Sequence, residues 1–339
     1  MKRKKDKKTE KVELIKSEVN LIKFPFYTLD HDRFKRIKYE YLEVKKGEKT
    51  IRGSWEASPD IKMGLPGIFD MKVFRIIDMH IYKNFMENGR IINPLDIGSI
   101  YRICRILGIK HYRSNRKLIK EAIERLSLLG FITKYTFYSK RKKKYLKEAS
   151  FHLFDRVWEG EELKNGEIAD SNYIYISPLY KESIEAYYIK LLDFNYIKSL
   201  KSGIATRLYE ILGIKFFGIR NKKIDFIKYS YEKLCNLLPI KEQKYLSRIK
   251  QQLEPALKEL KKTKFLEKYI FEKKGNKLFI KFYPGTKYFD EIKLDHAPKK
   301  KALAGLKKIK EILKEKEDDN KFRPIPESFK KQIKEILKE

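Results

Sequence analysis

The chain has 339 residues, with 79 Lys plus Arg against 46 Asp plus Glu, a formal net charge of +33. Hydrophobic residues make up 42% and aromatic residues 13%, which is enough to build cores and excludes wholesale disorder. The length suits two domains, and the charge opposes compaction unless a polyanion offsets it, so nucleic acid or an anionic membrane is the expected class of partner. AT-rich composition explains some of the lysine but does not place the charges. Cys104 and Cys235 lie far apart in apolar helical patterns, so there is no disulfide framework and a reducing cytoplasm is expected. No long apolar run exists, and no apolar stretch follows the basic residues 1–11, so neither a transmembrane helix nor a signal peptide is expected.

Residues 1–18 read as a disordered basic arm and residues 19–60 as a β-rich extension. Residues 19–29 (VNLIKFPFYTL) alternate apolar positions around Pro25, which suits an edge strand. Residues 37–44 and 49–56 alternate on either side of Lys46-Gly47 and predict a hairpin.

A first domain is expected over residues 61–157. Gly64-Leu65-Pro66-Gly67 is a turn, and a helix over 69–87 places Phe69, Val73, Ile76, Ile77 and Ile81 on one face before Asn88-Gly89 ends it. A second helix is predicted over 95–107, closed by Gly108. A third starts near Ser114, with Leu118, Ile119, Ala122, Ile123, Leu126 and Leu129 apolar, and Gly130 ends it. Strands over 131–139 and 145–154 flank Lys140, Arg141, Lys142, Lys143 and Lys144. Three helices and a hairpin is the order of a winged helix-turn-helix. Tyr112, Arg113, Ser114, Asn115, Arg116, Lys117 and Lys120 crowd the start of the third helix, and 113, 116, 117 and 120 share a face opposite the apolar positions. That is where a recognition helix meets base edges and phosphates, and the five basic residues sit where a wing would grip the flanking backbone.

Residues 158–172 are acidic and glycine-bearing and read as a linker. Residues 173–285 repeat the plan: a strand over 173–176, then helices over 184–192, 202–217 and 230–238. A further helix begins near Gln243, with Leu246, Ile249, Leu253, Leu257 and Leu260 inward. Its other face carries Lys244, Tyr245, Arg248, Gln251 and Gln252. Pro255 predicts a kink or the helix's last turns. Strands over 265–272 and 277–283 are joined by Lys273, Lys274, Gly275 and Asn276, a good hairpin turn. Residues 286–339 form a basic tail whose amphipathic segments, 302–316 and 326–337, are expected to pack back on the body. The fold class expected is therefore α+β: two tandem winged helix-turn-helix domains, an N-terminal β-rich extension and a helical basic C-terminal tail.

Catalytic signatures are absent. No Gly is followed by Lys, so there is no Walker A loop. The five histidines are 31, 80, 111, 152 and 296, none paired at helical or strand spacing, which supports neither a metal nuclease nor a zinc site. There is no G-x-S-x-G elbow. The expectation is a DNA-binding protein that is not an enzyme and takes no cofactor or metal.

With these residues in place, the chain resembles the replication initiator protein A family of bacterial plasmids over about residues 19–283. The resemblance rests on Leu21-Ile22-Lys23-Phe24-Pro25-Phe26, Gly64-Leu65-Pro66, Tyr112-Arg113-Ser114, Ile204-Ala205-Thr206-Arg207-Leu208-Tyr209 and Leu257-Lys258-Glu259-Leu260. It implies a DNA replication initiator that binds iteron-like repeats of double-stranded DNA at a plasmid origin and promotes opening of the adjacent duplex. It further implies recruitment of host replication proteins such as a helicase or initiator, autorepression, and a homodimeric form; no membrane partner is implied. The residues by themselves hardly separate this from a winged-helix transcription regulator without a replication role, although the length favours the initiator.

Overall fold

Why the N-terminal segment folds as it does is set by partners far along the chain. In the computed structural model, which describes residues 14–30, 32–44, 50–218 and 225–293, β1 (Leu14–Glu18) runs directly into a short helix, α1 (Val19–Lys23). The Glu18 carboxylate caps that helix by accepting from Leu21 N at 2.8 Å. Then follow β2 (Ile37–Val44), β3 (Thr50–Ser58), α2 (Ile68–Asn88), β4 (Leu95–Asp96), α3 (Ile100–Leu107) and α4 (Arg113–Ser127). Short strands complete the first half: β5 (Gly130–Lys134), β6 (Tyr138–Ser139), β7 (Lys144–Tyr145), β8 (Glu148–Phe151) and β9 (Phe154–Val157). The second half comprises β10 (Tyr173–Ile176), α5 (Pro178–Glu185), β11 (Ile189–Asp193), α6 (Phe194–Ser199), α7 (Gly203–Phe217), β12 (Ile227–Ser230), α8 (Tyr231–Leu237), α9 (Leu246–Lys262), β13 (Leu266–Lys274) and β14 (Lys277–Pro284). The content is mixed α+β. The described residues up to Glu291 form one compact unit. Residues 1–13 of the basic arm, the Lys46-Gly47 turn and the amphipathic segments of the tail lie outside the described residues.

Several expectations are corrected. Residues 14–18, expected in a disordered arm, are a strand that pairs antiparallel with β11, Leu14 facing Asp193 and Glu18 facing Ile189. Residues 19–29 are not an edge strand. After α1 they run through the core as a plug: Phe24 stacks on Trp55 at 5.1 Å, and Phe26 meets Phe74 at 5.7 Å and Phe131 at 5.8 Å. Trp55 Nε1 fixes the plug by donating to Pro25 O at 2.8 Å. The helix expected over 95–107 begins later, because Leu95 and Asp96 pair with β10 and Ser99 caps α3. The helix expected over 184–192 is instead α5, started by Pro178 in its first turn, followed by β11. The apolar spacing of Ile189, Leu191 and Leu192 looked helical, but β1 captures them as a strand. The strand expected over 131–139 breaks in two, Tyr135 taking φ 51 at the break, and that over 145–154 falls into the end of β7, β8 and the start of β9. Pro255 lies inside α9, which continues to Lys262.

The N-terminal hairpin is not an appendage. β2, β3, β5 and β8 make one antiparallel sheet in that order, and β12, β14 and β13 make the corresponding sheet of the second half. The expected linker is ordered against the first half. Glu162 and Ile168 bridge, and Arg156 donates to both Glu124 (2.6 Å) and Glu161 (2.8 Å).

The two halves meet through a buried ionic network. Arg75 on α2 donates to Glu210 on α7 at 2.7 Å and to Asp78 at 2.8 Å. Arg207 donates to Glu210 at 3.2 Å, to Ile22 O at 2.7 Å and to Leu237 O at 3.2 Å. Tyr27 completes Glu210, while Ser17 and Tyr180 both donate to Asp78. Each of these four charged side chains is 1% exposed. Two cations and two anions cancel, so the desolvation cost is matched by close pairing and additional hydrogen bonds. Burial alone would lower the Arg75 guanidinium, but Glu210 and Asp78 outweigh it and hold it above its ordinary range. Gly203 marks a close approach: a Cβ there would strike Ile68 at the start of α2 and press on Leu29. The Ala-Thr-Arg-Leu-Tyr segment is thus the joint between the halves.

Candidate nucleic-acid interface

Two helices carry the same buried pattern. In α4 the inward residues are Ile119, Ala122, Ile123 and Leu126; in α9 Leu253, Ala256, Leu257 and Leu260 match them, preceded by buried Ile249 where α4 has Asn115. The offset is constant at 134 residues (119 to 253, 126 to 260), and it also carries buried Phe131 onto buried Phe265 at the turn into each hairpin. Each helix is clamped from the same position of that pattern. Arg125 donates to Met63 O at 3.0 Å and to Asp70 at 2.7 Å, gripping the Gly64–Gly67 turn ahead of α2. Gly64 makes that turn possible at φ 71, where a Cβ would also press on Arg33. Glu259 accepts from Lys201 N at 2.8 Å and Ser202 N at 3.1 Å, gripping the start of α7. A strand and a serine-capped helix precede each: β4, Ser99 and α3 in one case, β12, Ser230 and α8 in the other.

The ends of α4 and α9 that point away from these clamps lack a side-chain cap, as does α5 at Ser177, whereas the remaining helices are capped. Glu18, Ser99, Asp193, Ser202 and Ser230 each cap a helix through the side chain, and Asp70 caps α2 at Gly67 N. α4 and α9 start instead at Tyr112 and Tyr245, neither of which makes a side-chain cap bond, and neither helix has an acidic residue in its first turn. Their first backbone N–H groups are left for another acceptor. The macrodipole disfavours cations there, yet that is where they cluster.

Of the residues expected in the first recognition helix, Tyr112, Arg113, Ser114, Arg116, Lys117 and Lys120 are exposed. Arg113 and Arg116 meet no carboxylate among the described residues. Lys117 pairs loosely with Glu121 at 3.8 Å, and Lys120 lies over the Trp158 ring at 5.2 Å. Asn115 is half-buried and donates to Lys110 O at 2.7 Å, and so braces the loop before the helix. His111 packs edge-on to Tyr101.

Lys244 and the N-cap Tyr245 before α9, and Arg248 and Gln251 on it, are exposed, Tyr245 by 73%. Arg248 donates to Gln251 at 3.0 Å, presenting the two as a unit. Gln252 is half-buried; its amide accepts from Tyr231 (2.8 Å) and donates to Lys241 O (3.0 Å), which holds the α8–α9 connection. Sequence reasoning passed over Lys250, which is exposed and lies 5.8 Å over the Phe271 ring of β13, between helix and hairpin. Its aromatic neighbour is remote in sequence, so no local signal marks it.

Lys140, Arg141, Lys142, Lys143 and Lys144 are all exposed at the tip between β6 and β7, and Lys273 and Lys274 are exposed before the Gly275-Asn276 turn. The first tip is held by the second half: Lys140 donates to Tyr187 O (3.4 Å) and Ser139 to Glu182 (3.2 Å). Asn20 staples its base by donating to Tyr138 O and accepting from Tyr138 N, each at 3.1 Å. α4 itself packs on α2, α3 and β9. The five-residue basic cluster is therefore anchored to α5 and α1.

No group of three or more His, Cys, Asp or Glu residues is placed to hold a metal among the described residues. No helix among them is long and apolar enough to cross a membrane. No protein-family model matches the chain, and no curated protein sequence does. Among solved structures, the chain is similar to domains 2 and 3 of RctB at 14% identity, with a TM-score of 0.45 over 79% of this chain and 98% of that one. A second structure of RctB domains 2–3 gives 15% identity and a TM-score of 0.44, covering 76% and 95%.

Proposed function

We propose that the chain is a sequence-specific double-stranded DNA-binding protein in which two winged-helix units in tandem present α4 and α9 to successive major grooves. The observation that carries this reading is the pair of helices with matching buried spacing and matching clamps, both uncapped and cationic at their exposed N-terminal ends. A helix of that construction gains its missing acceptors and its counter-charge from phosphate. Arg113, Arg116, Lys117 and Lys120 face one groove. Tyr245, Arg248 and Gln251 face the other, where an Arg and a Gln supply donors for purine edges. Lys250, Lys273, Lys274 and the tip from Lys140 to Lys144 add backbone contacts. The resemblance to plasmid replication initiators extends the reading to origin binding, duplex opening and recruitment of host replication proteins, with autorepression and a dimeric form as further expectations. A plasmid bearing only the cognate origin repeats, supplied with the protein in trans, tests that extension. Replication that depends on Arg113 and Arg248 supports it; operator binding without replication leaves a transcription regulator.

A further inference from the structure

The solvent faces of the two sheets follow different rules. An antiparallel sheet with one face on the core alternates apolar residues inward and polar residues outward. The first sheet keeps to this apart from Ile132. Its outer face pairs Arg36 with Glu56 (2.9 Å), Lys38 with Glu40 (2.8 Å) and Lys134 with Glu148 (3.3 Å), and carries no aromatic ring among the described residues.

The second sheet departs from it. In β14, Ile280 and Phe282 are buried toward the helices, so Phe279, Lys281 and Tyr283 face outward. Register sets Lys268, Ile270 and Glu272 of β13 beside Tyr283, Lys281 and Phe279, and Lys228 of β12 beside Lys281. Phe226, just before β12, lies 5.3 Å from Tyr283. Rows of aromatic rings and lysines therefore alternate across the face. Lys228 stands over Phe279 at 4.4 Å, Lys268 over Tyr283 at 4.5 Å and Lys281 over Phe226 at 4.9 Å. Glu272 serves two of these lysines, Lys228 at 2.7 Å and Lys281 at 3.1 Å, and their hydrogen bonds hold its carboxyl down to about 2. Lys268 meets no carboxylate among the described residues, and exposed Lys274 and Lys277 extend the charge toward the turn.

Charge and shape select the occupant. The chain is strongly basic, and residues 294–339 hold more Lys and Arg than Asp and Glu, so neither the tail nor a second copy is charge-matched to this face. A polyanion is. A stacked duplex hides its base faces from rings on a sheet, whereas an unpaired strand offers every base as a π-face and every phosphate as a partner. Phe279 and Tyr283 are four residues apart, about 13 Å along the strand at about 3.4 Å per residue, with the lysine row between them. Rings and ammonium groups address bases and phosphates, so no ribose 2′-hydroxyl is required. We propose that the outer face of β12, β14 and β13 binds single-stranded DNA, with bases against Phe279 and the Phe226–Tyr283 pair and phosphates at Lys228, Lys268 and Lys281. Each ammonium leaves its ring for a phosphate as a base takes its place. α9 packs on the opposite face, where its Lys250 lies over Phe271, so a single strand and a duplex occupy different surfaces.

Fluorescence anisotropy of the full chain with a labelled oligothymidylate, beside a selected duplex, tests the proposal. Phe279→Thr/Tyr283→Thr keeps strand-favouring residues and should weaken the single strand about fivefold or more while leaving the duplex unchanged. Lys268→Gln should flatten the single-strand salt slope by about 0.7. Arg113→Gln/Arg248→Gln should do the reverse of the threonine variant, weakening the duplex and sparing the single strand. Photocrosslinking of the parent protein to an oligonucleotide bearing 5-iodouracil should map to residues 279–283, a readout that needs no variant to fold. Absence of saturable single-strand binding at micromolar protein overturns the proposal and leaves the duplex reading standing. Crosslinks confined to residues 112–120 and 244–251, equal loss of single strand and duplex in either double variant, or tighter binding of an oligouridylate also overturn it.

Discussion

Replacing Tyr112 by Ser and Arg113 by Glu should make the protein more stable and worse at binding DNA. Tyr112 occupies the N-cap of α4 without a side-chain cap bond, and Arg113, the first helical residue, is exposed beside uncompensated N–H groups. A serine cap contributes about 1 kcal/mol, and exchanging a cation for a carboxylate in the first turn removes one unfavourable dipole interaction and adds a favourable one, about 0.3–1 kcal/mol each. The double variant should therefore gain about 1.5–3 kcal/mol in urea unfolding at low ionic strength, less at high salt. On a specific duplex, fluorescence anisotropy across a salt series should show a slope flattened by about 0.9 for the lost phosphate contact, and weaker binding at every salt concentration. Undiminished DNA binding would refute the claim that this helix end is an interface. A loss of stability would refute the capping argument.

Arg75→Met should cost about 3–5 kcal/mol by leaving Asp78 and Glu210 under-compensated in the core, and Arg75→Met with Glu210→Leu should recover part of it, which a double-mutant cycle in urea would show. Glu18 is buried, and burial pushes its carboxyl up to about 7 despite hydrogen bonds from Ser183, Leu21 and Asn20. Its folded form thus prefers the proton: its contribution is most favourable below pH 4.5 and is lost as pH rises to 7. Glu18→Gln keeps an acceptor for Leu21 N, so its stability relative to the parent should grow from pH 4.5 to 7 by about 3 kcal/mol and then level off; a pH-independent difference would contradict this. Gln252→Ala should lower stability without changing base preference, because its amide serves Tyr231 and Lys241, whereas Gln251→Ala should relax base preference at one position, by about 1–3 kcal/mol of discrimination, without changing stability; selection from a randomised duplex pool and thermal melts separate the two.

The inward faces of α2, α4 and α9 were legible because helical periodicity is local, and so were the exposed cations at the starts of α4 and α9. What the sequence hid depends on distant pairing. Ile189–Asp193 is a strand only because Leu14–Glu18 lies beside it, and β2 and β3 join β5 across more than seventy residues. The Arg75–Glu210 contact spans 135 positions and has no local signature. Asn115 and Gln252 look like base readers by residue type, but each is engaged by a backbone carbonyl of the preceding loop, which periodicity cannot see. The Gly-Leu-Pro turn and the Thr-Arg-Leu-Tyr segment have structural roles: Arg125 grips the first, and the second carries the joint between the halves.

The central claim is that α4 and α9 read one duplex together from a fixed frame. Hydroxyl-radical footprinting on a duplex selected by the protein tests it most directly, comparing the parent with Arg113→Gln/Arg116→Gln and with Lys244→Gln/Arg248→Gln. The parent should protect two separate segments, each variant should lose one of them, and inserting five base pairs between the segments should abolish their joint protection. Loss of the whole footprint in equal measure in both variants, or a footprint indifferent to the insertion, would contradict the account.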